Sequence, residues 1–369
     1  VTPQSKNLFK RGIVQSGYLA SDSIEFSEND KRAGSKSFLL NLIKKKQPLL
    51  DESQIANLLK DSDYVYNLLM KASAEEIISF YRIRDDAGGL IDVPNVIPDN
   101  LVIPSYGIFN AFKNGYIHDK EIILGTNRDE NKLFMIDNNN FVKRLPKFLT
   151  DIYPPLGLWA KPKDKKFYDL YAKYRSDAWK LDAVDNAARY INESNSSNVY
   201  AYRFDWDEEP SFYGMNFSNL LGAAHGLEIN FLFNSPEIID QKKSDLSGIL
   251  YQDKNHLTDK KLSMEMSEYW VNFAYDGNPN NHPYKKTTDW NEWKNESNEN
   301  FIVFDSDNDQ GIVMHKAILS DESILQNIAS ENISTFQKCF IFDDLFDSTT
   351  LEEDKVREIY SDFLNGKCE

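Results

Sequence analysis

The segment Glu121-Ile-Ile-Leu-Gly-Thr-Asn-Arg-Asp-Glu130 indicates the fold class of this chain. Its first six residues form a short apolar run without alternation of apolar and polar positions, which is typical of a strand covered by helices on both faces. Similar short runs occur at Arg11–Ser16 and Val199–Phe204. We therefore expect three buried strands, with the acidic pair Asp129-Glu130 directly after the second one.

Segments with the apolar spacing of helices separate these strands. Strands that alternate with helical segments predict an α/β fold with a largely parallel central sheet flanked by helices. A closing pair of strands is predicted at Phe301–Phe304 and Gly311–Met314, and no repeat or linker divides the chain, so residues 1–369 are expected to form one domain. Helices are predicted over residues 31–46, 52–59, 72–81, 105–114, 226–233, 262–275 and 351–364, and over much of 142–192.

The composition excludes several classes of partner. Lys and Arg total 42 against 58 Asp and Glu, which gives a net charge of −16 and argues against nucleic acid or an anionic membrane surface. No apolar run is long enough to span a bilayer. The two cysteines, Cys339 and Cys368, form neither a disulfide framework nor a metal-binding spacing, although one bridge between them is compatible with the sequence.

The chain has five histidines, and each is a candidate general base. His225 follows the small residues Gly222-Ala-Ala and precedes an apolar helical segment, which places it on a loop after the strand Val199–Phe204. A neutral imidazole on such a loop can relay a proton. The alternative is a structural histidine that caps the next helix. The remaining histidines are expected at the surface: His118, His256, His282 and His315.

The acidic pair at the end of the second strand offers a partner for such a base. A carboxylate there can orient an imidazole and stabilise its charged form, but Asp129 and Glu130 compete for the role. Both also suit the first turn of a helix. The sequence contains no Gly-x-Ser-x-Gly motif, which presents the nucleophile in many serine hydrolases, and Ser16 is expected to end a strand. Phosphate-binding glycine loops and zinc-ligand patterns are also absent from the sequence.

Taken in order, several segments resemble motifs of the carboxylesterase/cholinesterase family of the α/β-hydrolase fold. Leu8-Phe-Lys-Arg-Gly-Ile-Val-Gln-Ser-Gly17 is similar to the strand that follows the family's nucleophile motif. In the loop Ile91–Asp99, the family's usual Asp-Gly pair is Asp92-Val93. The other matching segments are Ile123–Phe134, Ala224–Phe233, Tyr269–Asn280 and Trp290–Phe304.

The resemblance implies roles for individual residues. Glu130, rather than Asp129, matches the acid of the family's Ser–Glu–His triad, and His225 matches its base. Ser16 and Glu228 match positions around the triad, where support of the fold is the simpler role. The resemblance further implies a small-molecule carboxylic ester as substrate and neither a cofactor nor a metal.

The nucleophilic serine and the oxyanion loop of the family precede the motif at Leu8–Gly17, so both are expected upstream of Val1. Residues 1–369 would then be the C-terminal portion of an α/β-hydrolase domain and inactive alone. Residues 85–90 fall near the family's acyl-pocket segment. Two alternatives remain: an inactive cholinesterase-like binding or adhesion protein, and a non-functional fragment. Retention of both Glu130 and His225 favours the esterase.

Overall fold

The structure is a computed structural model, which describes residues 1–31, 34–81, 95–146, 159–194, 197–212, 214–233, 256–281, 288–297, 299–316, 318–346, 361 and 368. Three expectations lie outside these residues: the helix at 351–364, the pocket segment 85–90 and the Asp92-Val93 part of the loop that follows it. His282 also lies outside them.

The strands in the described part are β1 (Arg11–Gln15), β2 (Glu121–Asn127), β3 (Val142–Arg144), β4 (Ala160–Pro162), β5 (Val199–Phe204), β6 (Ser211–Phe212), β7 (Met215–Asn216), β8 (Phe301–Phe304) and β9 (Val313–His315). A five-stranded sheet has the order β1-β2-β5-β8-β9. Strands β1, β2, β5 and β8 run parallel, and β9 pairs antiparallel with β8. The predicted α/β class and largely parallel sheet are confirmed.

Helices flank this sheet. The helices of the described part are α1 (Ile24–Asn29), α2 (Ser35–Lys46), α3 (Glu52–Leu58), α4 (Ser62–Met70), α5 (Ala74–Tyr81), α6 (Gly107–Lys113), α7 (Lys132–Met135), α8 (Lys165–Lys180), α9 (Ala187–Glu193), α10 (Phe217–Leu220), α11 (Glu228–Leu232), α12 (His256–Asp276), α13 (Asp321–Ser330) and α14 (Thr335–Phe346). Of these, α2 to α5 form a separate apolar cluster. A π-helical segment, Leu181–Asn186, joins α8 to α9, and Pro3–Ser5 is a 3-10 helix.

Both faces of the central strands are apolar, because alternate residues of β5 and β8 enter two different cores. Tyr200 and Phe304 pack with aromatic residues of α12 on one face. Ala201 and Val303 pack on the other face with the π-helical segment and α9. Burial of each large side chain contributes about 1.5–3 kcal/mol, so these two layers are a main source of stability. The same layers hold the carboxyl ends of the strands in fixed positions.

The prediction that β1 is buried was wrong. Adjacent strand residues point to opposite faces of a sheet. Ile13 is 37% exposed and Val14 is 39% exposed, so both faces of β1 are partly exposed to solvent. Among the described residues, β2 is the only strand that pairs with β1. Within the part of the chain that the structure describes, no strand pairs with the outer edge of β1, and part of each face is exposed.

Other differences arise from long-range packing. Residues 142–192 were expected to be helical, but Val142–Arg144 and Ala160–Pro162 pair as antiparallel strands. Phe231 and Trp270 are buried, whereas Phe233, which directly follows α11, is 71% exposed. Helices α13 and α14 were not predicted. The short strand predicted at 311–314 lies at Val313–His315.

Two global features concern the chain as a whole. Cys339 on α14 and Cys368 form a disulfide bond, which the sequence had left open. None of the helices in the described ranges combines the length and the apolar character that a bilayer crossing requires.

The first prediction concerns Gly125 on β2. A Cβ atom there would lie 1.9 Å from Cε1 of Tyr202, a fully buried ring of the neighbouring strand β5. Gly125→Ala must therefore displace a packed ring, and it should lower the free energy of unfolding by about 3 kcal/mol, at the upper end of the range for overpacking. Denaturant unfolding followed by circular dichroism measures this loss.

Gly12→Ala is the matched control, because it changes the same residue type on neighbouring β1, where the nearest atom lies 3.9 Å from the new Cβ. We expect a change within about 0.5 kcal/mol for this variant. Equal unfolding midpoints for the two variants would contradict the packing described here.

Candidate active site

The candidate site lies at the carboxyl ends of β1 and β2, where the loop before α11 reaches them. Ser16 directly follows β1, and its backbone N–H donates to the carbonyl of Gly125 at 2.7 Å. Ser16 has a φ of 51°, a left-handed conformation that only a minority of non-glycine residues adopt. This conformation turns the chain sharply after the strand. The Ser16 hydroxyl donates to Oε1 of Glu130 at 2.5 Å.

Glu130 is the most enclosed acid of the site, with 0% exposure. Its Oε1 accepts from the Ser16 hydroxyl and from the backbone N–H of Asn127 at 2.7 Å. Its Oε2 lies 2.7 Å from Nδ1 of His225. A buried carboxylate needs such partners, because an unpaired charge in the interior is costly. These three contacts fix both carboxylate oxygens, so the position of the acid is set before any substrate arrives.

His225 lies on the loop between α10 and α11, and its side chain is 35% exposed. An ionised carboxylate only accepts hydrogen bonds, so Nδ1 of His225 carries the proton that points to Glu130. Among the described residues, only Glu130 hydrogen-bonds to the imidazole. Nε2 is therefore available for proton exchange with a neighbouring group. The ring of Trp179 stacks on the imidazole, with centroids 5.2 Å apart.

Backbone contacts join the His225 loop to the turn that follows β2. The side-chain amide of Asn127 donates to the carbonyl of Ala224 at 2.7 Å, and the backbone N–H of Asp129 donates to the carbonyl of Ala223 at 3.0 Å. Gly222 has a φ of 51°, and a Cβ there would lie 2.6 Å from Oδ2 of Asp129. The two loops therefore hold one fixed spacing, which places His225 beside Glu130.

The structure separates the two competing acids. Asp129 turns away from the imidazole and forms ion pairs with Arg128 at 2.9 Å and Lys132 at 3.0 Å. Burial raises the pKa of Asp129, but these two cations outweigh it and bring the pKa below its ordinary value. Asp129 therefore holds the turn together, and Glu130 is the acid that reaches the histidine.

Glu228 lies on the inner side of the site and is 2% exposed. Its Oε2 accepts from the side-chain amide of Asn127 at 2.5 Å, and its Oε1 accepts from the amide of Gln15 at 3.3 Å. Burial raises the pKa of Glu228; the bond from Asn127 opposes this, and the charge of Glu130 adds to it. Asn127 therefore hydrogen-bonds to both glutamates, through its side chain to Glu228 and through its backbone N–H to Glu130.

The electrostatics of His225 favour its charged form. Burial lowers the pKa of the ring, but the hydrogen bond to Glu130 and the charges of Glu130 and Glu228 raise it by more. The net result is a pKa above the ordinary 6.5 of histidine. Such a ring can accept a proton from a hydroxyl and hold it next to a fixed negative charge.

One group of acids could in principle hold a metal ion. Glu208, Asp305 and Asp309 bring carboxylate oxygens within 4.8 Å of one another. Burial and the charges of neighbouring acids raise the pKa of Glu208 to about 8.

The sequence predicted the principal residues of the site but missed several of their partners. Asn127 and Gln15 lie inside the quoted motifs, and an amide side chain at the end of a strand indicates a possible hydrogen-bond partner for nearby polar groups. Trp179 lies on α8 and is remote in sequence from every motif, so no pattern indicated it. The Ser16 hydroxyl donates its hydrogen bond to the carboxylate of Glu130 and not to His225.

Comparison with known proteins connects this geometry to a family. The model of the carboxylesterase family matches residues 1–320. Carboxylesterase 5A of Mus musculus is 25% identical over 297 residues, which cover 76% of this chain and 46% of the relative. Acetylcholinesterase of Electrophorus electricus is 23% identical over 347 residues, and the match covers 76% of this chain and 48% of that protein. The chain thus spans about half the length of these curated relatives.

Two solved structures are also among the proteins to which this chain is similar. A pNB esterase is 21% identical, with a TM-score of 0.49 over 85% of this chain and 56% of the other. A thermophilic pNB esterase is 19% identical, with the same TM-score and the same coverage. The predicted family and α/β-hydrolase fold class are confirmed by the family match together with the largely parallel sheet. The chain belongs to the carboxylesterase family.

Proposed function

We propose that this chain carries the acid and the base of a carboxylic ester hydrolase that acts through a Ser–Glu–His triad. Glu130 is the acid and His225 is the base. The observation that carries this proposal is the 2.7 Å contact between Oε2 of the fully buried Glu130 and Nδ1 of His225, whose other nitrogen is available. In such an arrangement the carboxylate holds one tautomer of the base and stabilises its charged form.

The reaction proceeds in two steps through an acyl-enzyme. The serine oxygen attacks the ester carbonyl carbon while Nε2 of His225 accepts the hydroxyl proton. The tetrahedral intermediate collapses as His225 returns that proton to the leaving alcohol. A water molecule then attacks the acyl carbon while His225 takes its proton. The acyl–serine bond breaks as His225 returns that proton to the serine oxygen, and the carboxylic acid product leaves. Throughout, Glu130 holds Nδ1–H and balances the charge of the imidazolium.

We place the nucleophilic serine and the oxyanion donors on a segment that precedes residue 1. Ser16, the hydroxyl that hydrogen-bonds within the site, is directed to Glu130 and lacks the glycine motif of a nucleophile. The uncovered faces of β1 support this placement, because exposed Ile13 and Val14 offer apolar surface at which further chain can pack. The chain's coverage of about half of its relatives is compatible with it.

The proposed chemistry sets the class of substrate. A carboxylic ester supplies the electrophilic carbon and a leaving alcohol that accepts the proton from Nε2. The proposed triad residues need no metal ion and no cofactor for these steps. We propose small-molecule carboxylic esters as the substrate class. Residues 85–90, which fall near the family's acyl-pocket segment, lie outside the described residues.

The second prediction concerns His225 in the protein that carries the upstream segment. His225→Ala should lower kcat for hydrolysis of p-nitrophenyl acetate by at least about 10³-fold, because the serine loses its base. His315→Ala is the matched control: this residue ends the edge strand β9 and is exposed, so kcat should stay within about twofold. Near-normal kcat for His225→Ala would contradict the assignment.

The third prediction concerns residues 1–369 alone. Without the serine, the Glu–His pair cannot form the serine acyl-enzyme that hydrolysis of an unactivated ester requires. The purified 369-residue chain should therefore hydrolyse ethyl butyrate at the same rate as its His225→Ala variant, and a fluorophosphonate probe should not label it. Triad-dependent turnover or labelling by the chain alone would show that the serine lies within these residues.

The fourth prediction concerns the pKa of His225, which NMR of its ring protons can follow in residues 1–369. The wild-type pKa should lie above 6.5, whereas Glu130→Gln should lower it, since the charge disappears and burial remains. The stabilisation from the pair is then complete below the unfolded pKa of histidine and is lost as pH rises through the folded pKa. An unchanged pKa in Glu130→Gln would contradict the charge interaction.

A further inference from the structure

We infer that Trp179 is a positioning residue for the imidazole of His225, an inference that rests on the proposed function. The indole lies against the imidazole with ring centroids 5.2 Å apart and an angle of 28° between the planes, which is a stacked arrangement. The Glu130 contact holds only Nδ1, so by itself it leaves the ring free to tilt, and a tilted ring loses the straight Nδ1–H···Oε2 geometry through which Glu130 selects the tautomer. A flat surface on one face removes that freedom and sets the direction of Nε2.

The indole is itself held in place at its polar end. Its Nε1–H donates to the backbone carbonyl of Gly17 at 2.9 Å. Gly17 follows Ser16, whose hydroxyl donates to Glu130. The contacts therefore form a closed circuit. Trp179 hydrogen-bonds to the turn after β1, and the Ser16 hydroxyl of that turn hydrogen-bonds to Glu130. Glu130 hydrogen-bonds to His225, which stacks on Trp179.

The backbone under Trp179 is also fixed. Trp179 lies in the last turn of α8, directly before the π-helical segment Leu181–Asn186. Lys180 and Asp185 form an ion pair of 2.6 Å within this region, with side-chain exposures of 3% and 0%. π-helical turns are rare and are often found at functional sites, where they change the direction of a side chain. Here such a turn follows the tryptophan that faces the base.

A third ring supports the pair. Phe134 lies 5.6 Å from the His225 ring and 6.1 Å from the Trp179 ring, measured between centroids. Phe134 follows the turn that carries Glu130, so the acid and the aromatic group belong to one short segment. The imidazole is therefore bounded by two rings and one carboxylate, and its remaining ring nitrogen faces away from the carboxylate.

Tryptophan supplies two features that other residues do not combine. Its indole N–H anchors the ring to Gly17, and its large flat face covers the imidazole and favours a cation beside it. Trp179→Phe keeps a flat aromatic ring but loses the anchor. Trp179→Leu keeps apolar volume but loses the flat face. The two variants therefore separate anchoring from stacking.

The first measurement uses residues 1–369 with ¹⁵N-labelled histidine and needs no catalysis. At a pH above the His225 pKa, the wild type should show one tautomer, with the proton on Nδ1. We expect averaged ring nitrogen signals in Trp179→Leu, intermediate behaviour in Trp179→Phe, and the wild-type pattern in the control Trp293→Phe. Trp293 is a buried tryptophan whose indole also donates one hydrogen bond, at 2.9 Å to Asn295, so the control matches the chemical change.

The second measurement is kinetic and uses the protein with its upstream segment. Trp179→Leu should lower kcat for p-nitrophenyl acetate about ten- to a hundredfold with little change in KM, since misplacement of a catalytic group by a fraction of an ångström costs this much. Trp179→Phe should recover part of the loss, and Trp293→Phe should leave kcat within about twofold. Thermal unfolding of each variant confirms that it is folded, and Trp179→Phe replaces Trp179→Leu if the latter is not.

The outcomes separate this inference from the proposed function. If His225→Ala abolishes turnover while the Trp179 variants match Trp293→Phe in tautomer and kcat, the positioning role is overturned and the triad stands. If the Trp179 variants alter the tautomer but His225→Ala leaves turnover intact, the positioning geometry stands and the proposed triad fails. Loss of a single tautomer together with a kcat-specific defect supports both.

Discussion

The rest of the site depends on the burial of one negative charge. The carboxylate of Glu130 has no exposed surface, and an ionised carboxyl in a protein interior is stable only when hydrogen-bond donors surround it. Its donors come from three parts of the chain: the Ser16 hydroxyl after β1, the Asn127 N–H at the end of β2 and Nδ1 of His225. Satisfying this one group therefore joins Glu130 to segments 114 residues before it and 95 residues after it.

The sheet makes this convergence rigid. Parallel β1 and β2 end side by side, so Ser16 and the turn that carries Glu130 start from neighbouring positions. Gly125 of β2 leaves room for the buried ring of Tyr202 on the neighbouring strand β5. Asn127 then links the acid turn to the histidine loop and to Glu228 through a single side-chain amide. Rigid scaffolding of this kind keeps catalytic groups within the narrow tolerances that proton transfer requires.

Local sequence predicted those elements whose environment is uniform along the chain. β2 and β5 were found because both of their faces are apolar, whereas the exposure of β1 depends on what lies beside it, which an apolar run cannot reveal. Helix α13 had a usable signal that was overlooked: Ser320 caps it, and Ile324 and Ile328 are buried one turn apart. The β3–β4 pair depends on contact between distant segments, so periodicity alone could not predict it.

The site shows the same division. Spacing alone could not choose between Asp129 and Glu130, and the family resemblance was needed to favour Glu130; in the structure, ion pairs with Arg128 and Lys132 account for Asp129. Trp179 had no sequence signal, because stacking between distant segments leaves no local pattern.

The central claim is that Glu130 and His225 act as one unit, and a double-mutant cycle on turnover tests it most directly. In the protein with its upstream segment, kcat/KM would be measured for Glu130→Gln, His225→Ala and the double variant. If the acid acts only through the base, the double variant loses no more than His225→Ala alone, within about twofold. Independent losses that multiply in the double variant would contradict the account.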